Sequence, residues 1–403
     1  MADAMNSAID PPIIRLRPKA NARAIRHGFP WVYANELVVD RRTGKLPAGT
    51  IARLQDADRA DLGLVALSPG SQIIARMLDR DADARIDGDW LAGKVRRALA
   101  HRDRLYDAPF YRLIHAEADG LPGVVVDRFG DTLVVQPNAA WAEALLDPLT
   151  EALRATAGAT CIVKNAASRG RAREGLDDVT KVILGEAPGA PIPVPMNGAS
   201  YMADIMGGQK TGLFFDQRDN HRFAAGLARG GRVLDVFSHV GGFGLACLAA
   251  GAESALAVDG SAPALELAAT GAAASGHGDR FATRQGDAFA TLEALAEEGV
   301  QFDTVICDPP AFAPSKSARE AGLRAYERVA RLAAPLVAPG GYLGLCSCSH
   351  AADLAAFRGA SVRGIGRAGR AAQLIHTGFA GPDHPQLPQL AETGYLKALF
   401  FRL

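Results

Sequence analysis

VLDVFSHVGGFG, residues 233 to 244, decides how the C-terminal half of this chain folds. An apolar run holding one acid, Asp235, gives way to a short turn, and Gly241, Gly242 and Gly244 open the apolar stretch FGLACLAAG. That is a strand, a turn and a helix. Glycines in such a turn let the backbone approach a ligand closely. Asp259 follows Asp235 by 24 residues, at the end of the next apolar run SALAVDG. A carboxylate there is placed to take ribose hydroxyls.

Outward from this stretch the alternation is regular. RVLDVF, SALAVDG, RFATRQGDAF, FDTVICDPP and YLGLCSCS read as strands, with helical stretches such as APALELAATGAAAS and REAGLRAYERVARLAAPLV between several of them. Strand and helix taking turns predicts an α/β fold with a parallel, doubly wound sheet, whose ligands sit at the carboxyl ends of the strands. A nicotinamide enzyme would show G-x-G-x-x-G, which this loop lacks. An acid on the first strand, six residues ahead of the glycine pair, is the arrangement of S-adenosylmethionine sites. Asp287, ending the third strand beside Ala288, fits a contact to the adenine amino group.

The fourth strand ends in CDPPAF, residues 307 to 312. Two prolines after an acid make a rigid corner that lacks two backbone donors, able to hold a planar base between Pro309 and Phe312 while Asp308 bonds its edge. The corner indicates a nucleobase without choosing the atom. A ring nitrogen or an exocyclic amine carries its own nucleophile, but carbon 5 of cytosine reacts only after a thiolate has added to carbon 6. The fifth strand ends in CSCS, and two of the chain's five cysteines, Cys346 and Cys348, stand there. Positions two apart on a strand share a face, so periodicity leaves the choice open. Cys348 lies nearer the strand end and is the preferred nucleophile, with Cys346 as core beneath it. Cys307, preceding Asp308, points to the opposite face, and Cys161 and Cys247 sit in apolar settings, so all three read as core.

Composition sets the limits. A chain of 403 residues exceeds one ordinary core and predicts two or three domains. Hydrophobic residues at 48% and charged residues at 22% belong to a globular protein. Five scattered cysteines predict reduced thiols, and the Cys346–Cys348 pair lacks the second pair that zinc requires, so no metal is expected. No apolar run approaches the ~20 residues of a spanning helix, so no membrane association and a cytoplasmic location are expected. Lys plus Arg and Asp plus Glu both number 44, which excludes a whole-surface grip on nucleic acid but not a local patch. The most basic window is residues 11 to 35, with Arg15, Arg17, Lys19, Arg23 and Arg26 and no acid among them. A second basic segment, KVRRALAHRDRLYD, reads as helical at 94 to 107.

Short alternating runs up to residue 78 predict a small β module, and strand, turn, strand, helix, strand between 112 and 188 an α+β unit with its helix near 141 to 157. EAPGAPIPVP, residues 186 to 195, reads as a stiff connector into the third domain.

Taken together these residues resemble the RlmI-type family of bacterial 23S rRNA 5-methylcytosine methyltransferases. GFPWVYANEL at 28 to 37 and EADGLPGVVVDRFGDTLVVQ at 117 to 136 match its first two domains. MGGQKTGLFFDQRDNHR at 206 to 222 is the most specific block, followed in family order by VFSHVGGFG, DPPAFAPSK, SCSH, DHP and ETGYLKALF. The resemblance implies an RNA-binding PUA domain (1–78), a central α+β domain (79–190) and a class I methyltransferase domain (191–403). It implies S-adenosylmethionine as cofactor and 23S rRNA or a large-subunit precursor as partner, and leaves room for a homodimer. The nucleophile role passes to Cys348 and the base contact to Asp308. Asp235, Phe237, Gly241, Gly242, Asp259, Asp287 and Ala288 inherit cofactor contacts, while Gln217 and Arg218 inherit a place beside cofactor and substrate. Arg15, Arg17 and Arg23, with Arg26, would hold phosphates. His239 departs from the family, where Tyr-Thr is common. Two rival readings use the same residues: methylation of a guanine or adenine nitrogen with both cysteines structural, and a non-catalytic RNA-binding assembly factor.

Overall fold

The computed structural model describes residues 10–168, 170–208 and 211–403, so Gln209 and Lys210 of the G-Q-K-T-G block lie outside the described residues. Alternating apolar residues fold as β1 (Ile13–Arg15), β2 (Trp31–Tyr33), β3 (Ile51–Gln55), β4 (Asp61–Leu67) and β5 (Ile73–Asp79), one sheet in the order β1-β3-β4-β5-β2. Helix α1 (Ala22–Arg26) starts where the Asn21 side chain accepts the Ala24 amide. Its Ile25 joins Ile14, Val32, Leu54 and Val65 in the core of that sheet.

Asp87 caps α2 (Gly88–Arg102). Strands β6 (Phe110–His115), β7 (Val124–Phe129), β8 (Thr132–Pro137), β9 (Cys161–Lys164) and β10 (Lys181–Leu184) form a second sheet in the order β10-β9-β8-β7-β6. The helix expected near 141 to 157 is two, α3 (Ala140–Ala144) and α4 (Leu146–Ala157), because Leu145 leaves helical geometry at φ −105°. A short α5 (Gly170–Arg173) follows. Both sheets belong to one unit comprising the chain up to Ala187 and Pro385–Leu390; Pro188–His384 and Ala391–Leu403 form the other.

The second unit begins with a two-stranded ribbon. The latter part of the proline-rich stretch is not a connector but β11 (Ile192–Met196), paired antiparallel with β12 (Ala199–Ala203). Pro193 and Pro195 are exposed and alternate with buried Val194 and Met196, as a two-stranded ribbon allows, since its outer edge needs no amide donors. After α6 (Arg218–Leu227) come β13 (Arg232–Val236), α7 (Gly242–Ala249), β14 (Ser254–Asp259), α8 (Ala262–Ala274), β15 (Phe281–Gln285), α9 (Ala288–Glu297) and β16 (Phe302–Cys307). The chain closes with α10 (Arg319–Ala333), β17 (Val337–Ser347), α11 (Leu354–Arg367), β18 (Gln373–Gly378) and β19 (Lys397–Arg402). The seven strands order as β15-β14-β13-β16-β17-β19-β18. The first five are parallel and β19 runs antiparallel between β17 and β18. The order reverses beside β13, so the loops after β13, β14, β16 and β17 surround one crevice at the switch point.

Candidate active site

The loop after β13 is built from strained backbone. Phe237, His239 and Gly241 all have left-handed φ, at 62°, 50° and 79°. Two non-glycine residues in that region cost on the order of 1–3 kcal/mol each, so the surroundings must hold them. They do: the Ser238 amide donates to Val258 O at 3.1 Å, Gly241 N to Ser238 O at 2.8 Å and His239 N to Asp259 Oδ2 at 2.9 Å. The His239 ring packs edge-on against Phe214, with centroids 5.0 Å apart. A Cβ on Gly241 would come within 3.2 Å of Ala268 and Leu245, whereas one on Gly242 would strike the His221 ring at 2.8 Å. Gly242 therefore has a packing reason of its own.

Asp235 is fully buried and its Oδ2 accepts the Gly244 amide at 2.8 Å. Burial pushes its carboxyl up to about 7, against the opposing pull of the Gly244 and Phe243 amides. Asp259 is half-buried and also receives Ser261 N at 2.8 Å, so each of its oxygens holds one amide and keeps a lone pair for a hydroxyl. Asp287 is exposed and caps α9 through one oxygen only, to Ala290 N at 2.9 Å, while Ala288 behind it is buried. A set of acceptors spread over the ends of β13, β14 and β15, beside a glycine at positive φ, fits an adenosine-bearing cofactor.

The ends of β16 and β17 are made differently. Asp308 is half-buried, with its amide bonded to Val236 O at 3.1 Å. Pro309 is buried, and the Phe312 ring lies 6.3 Å from Phe237, 6.1 Å from Phe289 and 5.0 Å from Tyr326. Gly322 lets α10 close on this corner, since a Cβ there would sit 2.7 Å from the Phe312 backbone.

Strand β17 stops at Ser347, so Cys348 lies past the ladder and the two cysteines do not share an environment. Cys348 is half-buried and the other four cysteines are buried. Cys346 packs with Ala398 and Phe400, and burial drives its thiol well above the ordinary range. Fully buried Ser349 ties the thiol segment to the D-P-P-A-F corner. Its Oγ accepts the Ala313 amide at 2.8 Å and shares a hydrogen bond with the Tyr326 hydroxyl at 2.7 Å.

Lys397, opposite Ser347 at the start of β19, is not among the residues that the sequence singles out. It is 4% exposed, and its Nζ donates to Ser349 O at 2.7 Å and Ala352 O at 2.8 Å. Burial lowers its ammonium to about 8, opposed by the charges of Cys348 and Asp353. The available signal was a lone cation in the apolar run YLKALFF.

Gln217 is buried beside Cys346, whose thiol its amide draws downward, and its Oε1 accepts Asn220 Nδ2 at 2.6 Å. Buried Arg218 lies over the Phe215 ring at 5.5 Å. Arg15, Arg17 and Arg23 belong to the other unit; Arg17 and Arg23 are exposed and Arg15 half-buried, while Arg26 is ion-paired with Asp56. In the second basic segment, Arg102 is buried in a two-pronged bond with Asp119.

Comparison with known proteins now bears on this geometry. The family model described as S-adenosylmethionine-dependent methyltransferase matches residues 104–402, and that for a PUA-like domain matches 14–80. Ribosomal RNA large subunit methyltransferase I of Shewanella denitrificans is 36% identical over 394 residues, 97% of this chain and 99% of the relative. The chain belongs to the ribosomal RNA large subunit methyltransferase I family. The Aeromonas hydrophila member is 35% identical over 95% of this chain and 98% of its own. A solved putative methyltransferase from Streptococcus mutans shares the fold, with a TM-score of 0.82 at 17% identity over 97% of this chain and 100% of its own. A putative methyltransferase complexed with SAH gives 0.82 at 18%, over 97% and 99%. As a methyltransferase of this family the enzyme uses S-adenosylmethionine. Among the described residues no cluster of three or more His, Cys, Asp or Glu could hold a metal, and no helix is long and apolar enough to cross a membrane.

Proposed function

We propose that this methyltransferase methylates carbon 5 of a cytosine in 23S rRNA, or in its large-subunit precursor, through a covalent adduct of Cys348 to carbon 6. The observation that carries the reading is the separation of the two cysteines: Cys348 is the one accessible thiol of five, beside the D-P-P-A-F corner. The bound cofactor supplies an electrophilic methyl group. Asp308 bonds the edge of a cytosine held at Pro309 and Phe312. The Cys348 thiolate forms the S–C6 bond, and the C5–C6 π pair moves to carbon 5, which takes the methyl as its S–CH3 bond breaks, the electron pair staying on the departing thioether S-adenosylhomocysteine. Loss of the carbon 5 proton to a base restores the double bond and expels the thiolate. Asp235, Phe237, Gly241, Asp259, Asp287 and Ala288 serve the cofactor, and Gln217 and Arg218 stand beside it. Exposed Arg17 and Arg23, with Arg15, contact RNA phosphates, and the protein works in the cytoplasm, where its rRNA substrate is.

The test is nucleoside mass analysis of unmodified 23S rRNA after incubation with the protein and S-adenosylmethionine. 5-Methylcytidine is expected. A methylated guanosine or adenosine would return both cysteines to structural roles and leave the corner serving a nitrogen.

A further inference from the structure

A buried ammonium is costly to desolvate and persists where donors are satisfied and a charge partner is near. Lys397 meets the first condition through two backbone carbonyls, Ser349 O and Ala352 O, which occupy two of its three N–H donors. Among the described residues no carboxylate forms an ion pair with it. Both carbonyls belong to the segment that carries Cys348 out of β17, and the first is one residue from the sulfur. We propose that Lys397 is a positioning residue for the Cys348 thiolate: from the start of β19 its ammonium clamps the exit segment and supplies the positive charge against which the thiolate forms.

This deepens the reading of Cys348 as nucleophile and rests on it. The charge acting most on Lys397 after desolvation is that of Cys348, followed by Asp353 at the start of α11. The other titratable groups near this segment are exposed His350, paired with Glu392 at 3.7 Å, the Tyr326 hydroxyl of α10 and Asp308 after β16. Arg319, partly exposed, pairs with Asp353 at 3.5 Å; Lys397 is the buried cation bonded to the segment that carries Cys348, and the two charges act on one another. The thiol releases its proton to solvent before attack, and the ammonium carries its charge below about pH 8, the range in which the thiolate must form.

The experiment follows the rate of iodoacetamide alkylation of Cys348 against pH, by peptide mass analysis of the full-length protein without RNA or cofactor. In Lys397→Met the alkylation midpoint should rise by about one pH unit or more, a tenfold loss of thiolate at neutral pH, and Lys397→Arg should recover most of it. An unchanged midpoint in folded Lys397→Met, or no recovery in folded Lys397→Arg, overturns the proposal. Should neither variant fold, the wild type decides: a midpoint at the ~8.5 of a free thiol overturns it, and one clearly below supports it. The nucleophile reading is tested separately. Cys348→Ala retaining 5-methylcytidine formation would remove it while an alkylation shift still stood. An inactive Cys348→Ala with no shift would discard Lys397 alone.

Discussion

At the carboxyl ends of β13 and β14 the wall of the crevice is shaped by backbone, whereas at the ends of β16 and β17 it is shaped by side chains. The first is the run from Asp235 to Gly244, in which Phe237, His239 and Gly241 take left-handed φ and whose amides are collected by Asp235 and by Asp259 at the end of the next strand. The second joins Ala313, Tyr326, Ser349 and Lys397 around one half-exposed thiol. A site made from backbone is specified by consecutive residues. One made from side chains depends on which distant segments the fold brings together.

Four measurements break or sharpen that contrast. The largest effect belongs to Cys348→Ala, which should abolish carbon 5 methylation, on the order of a thousandfold or more, with unfolding unchanged. Cys346→Ala should instead cost about 1–2 kcal/mol of stability and leave turnover nearly intact. Equal activity losses in the two would mean that the end of β17 at Ser347 does not separate their roles.

Next comes Asp259→Ala, which removes a charged acceptor of hydroxyls and two loop amides. Cofactor affinity should fall by about 1.5–3 kcal/mol, roughly tenfold to a hundredfold, read by calorimetry. Unchanged affinity would show that the loop, not the carboxylate, does the binding.

Tyr326→Phe is smaller. It deletes the hydroxyl shared with Ser349 and should lower stability by about 1 kcal/mol and slow turnover several-fold, with cofactor affinity unaffected. If affinity fell while turnover held, the two halves of the crevice would be coupled more tightly than their separate construction implies.

The smallest effect is in pH. Burial holds His221 neutral down to about 3, so the unfolded chain takes up its proton first as pH falls below the ordinary histidine value of 6.5, and stability is lost from there toward 3. Asp235 acts oppositely: the folded chain keeps its proton up to about 7, so stability falls as pH rises from 3.8 to 7. In the cofactor-free protein the two slopes oppose one another. Asp235→Asn should steepen the acid-side fall in melting temperature and His221→Phe should flatten or invert it. A wild-type profile unmoved by either substitution would contradict both burials.

Sequence reading reached different depths in different places. The strand expected to run through CSCS stops at Ser347, because Ser349 turns inward to meet Ala313 and Tyr326. Prolines 193 and 195, taken as a connector, sit in a strand because a two-stranded ribbon leaves one edge without need of donors. Arg26 read as part of a free basic patch, yet Asp56, thirty residues on, pairs with it. Each difference comes from a partner that local pattern does not contain.

Legible in the sequence alone were the alternating α/β half, the glycine loop after β13 and the D-P-P-A-F corner, because each follows from the period of apolar residues or from glycines and acids within a dozen positions. Tertiary structure alone decided which of two cysteines two positions apart is accessible, and that a lysine 49 residues further on bonds the segment that carries it. Burial and charge at that point depend on β19 lying antiparallel beside β17, and the pairing of strands so distant in the chain is a property of the assembled sheet.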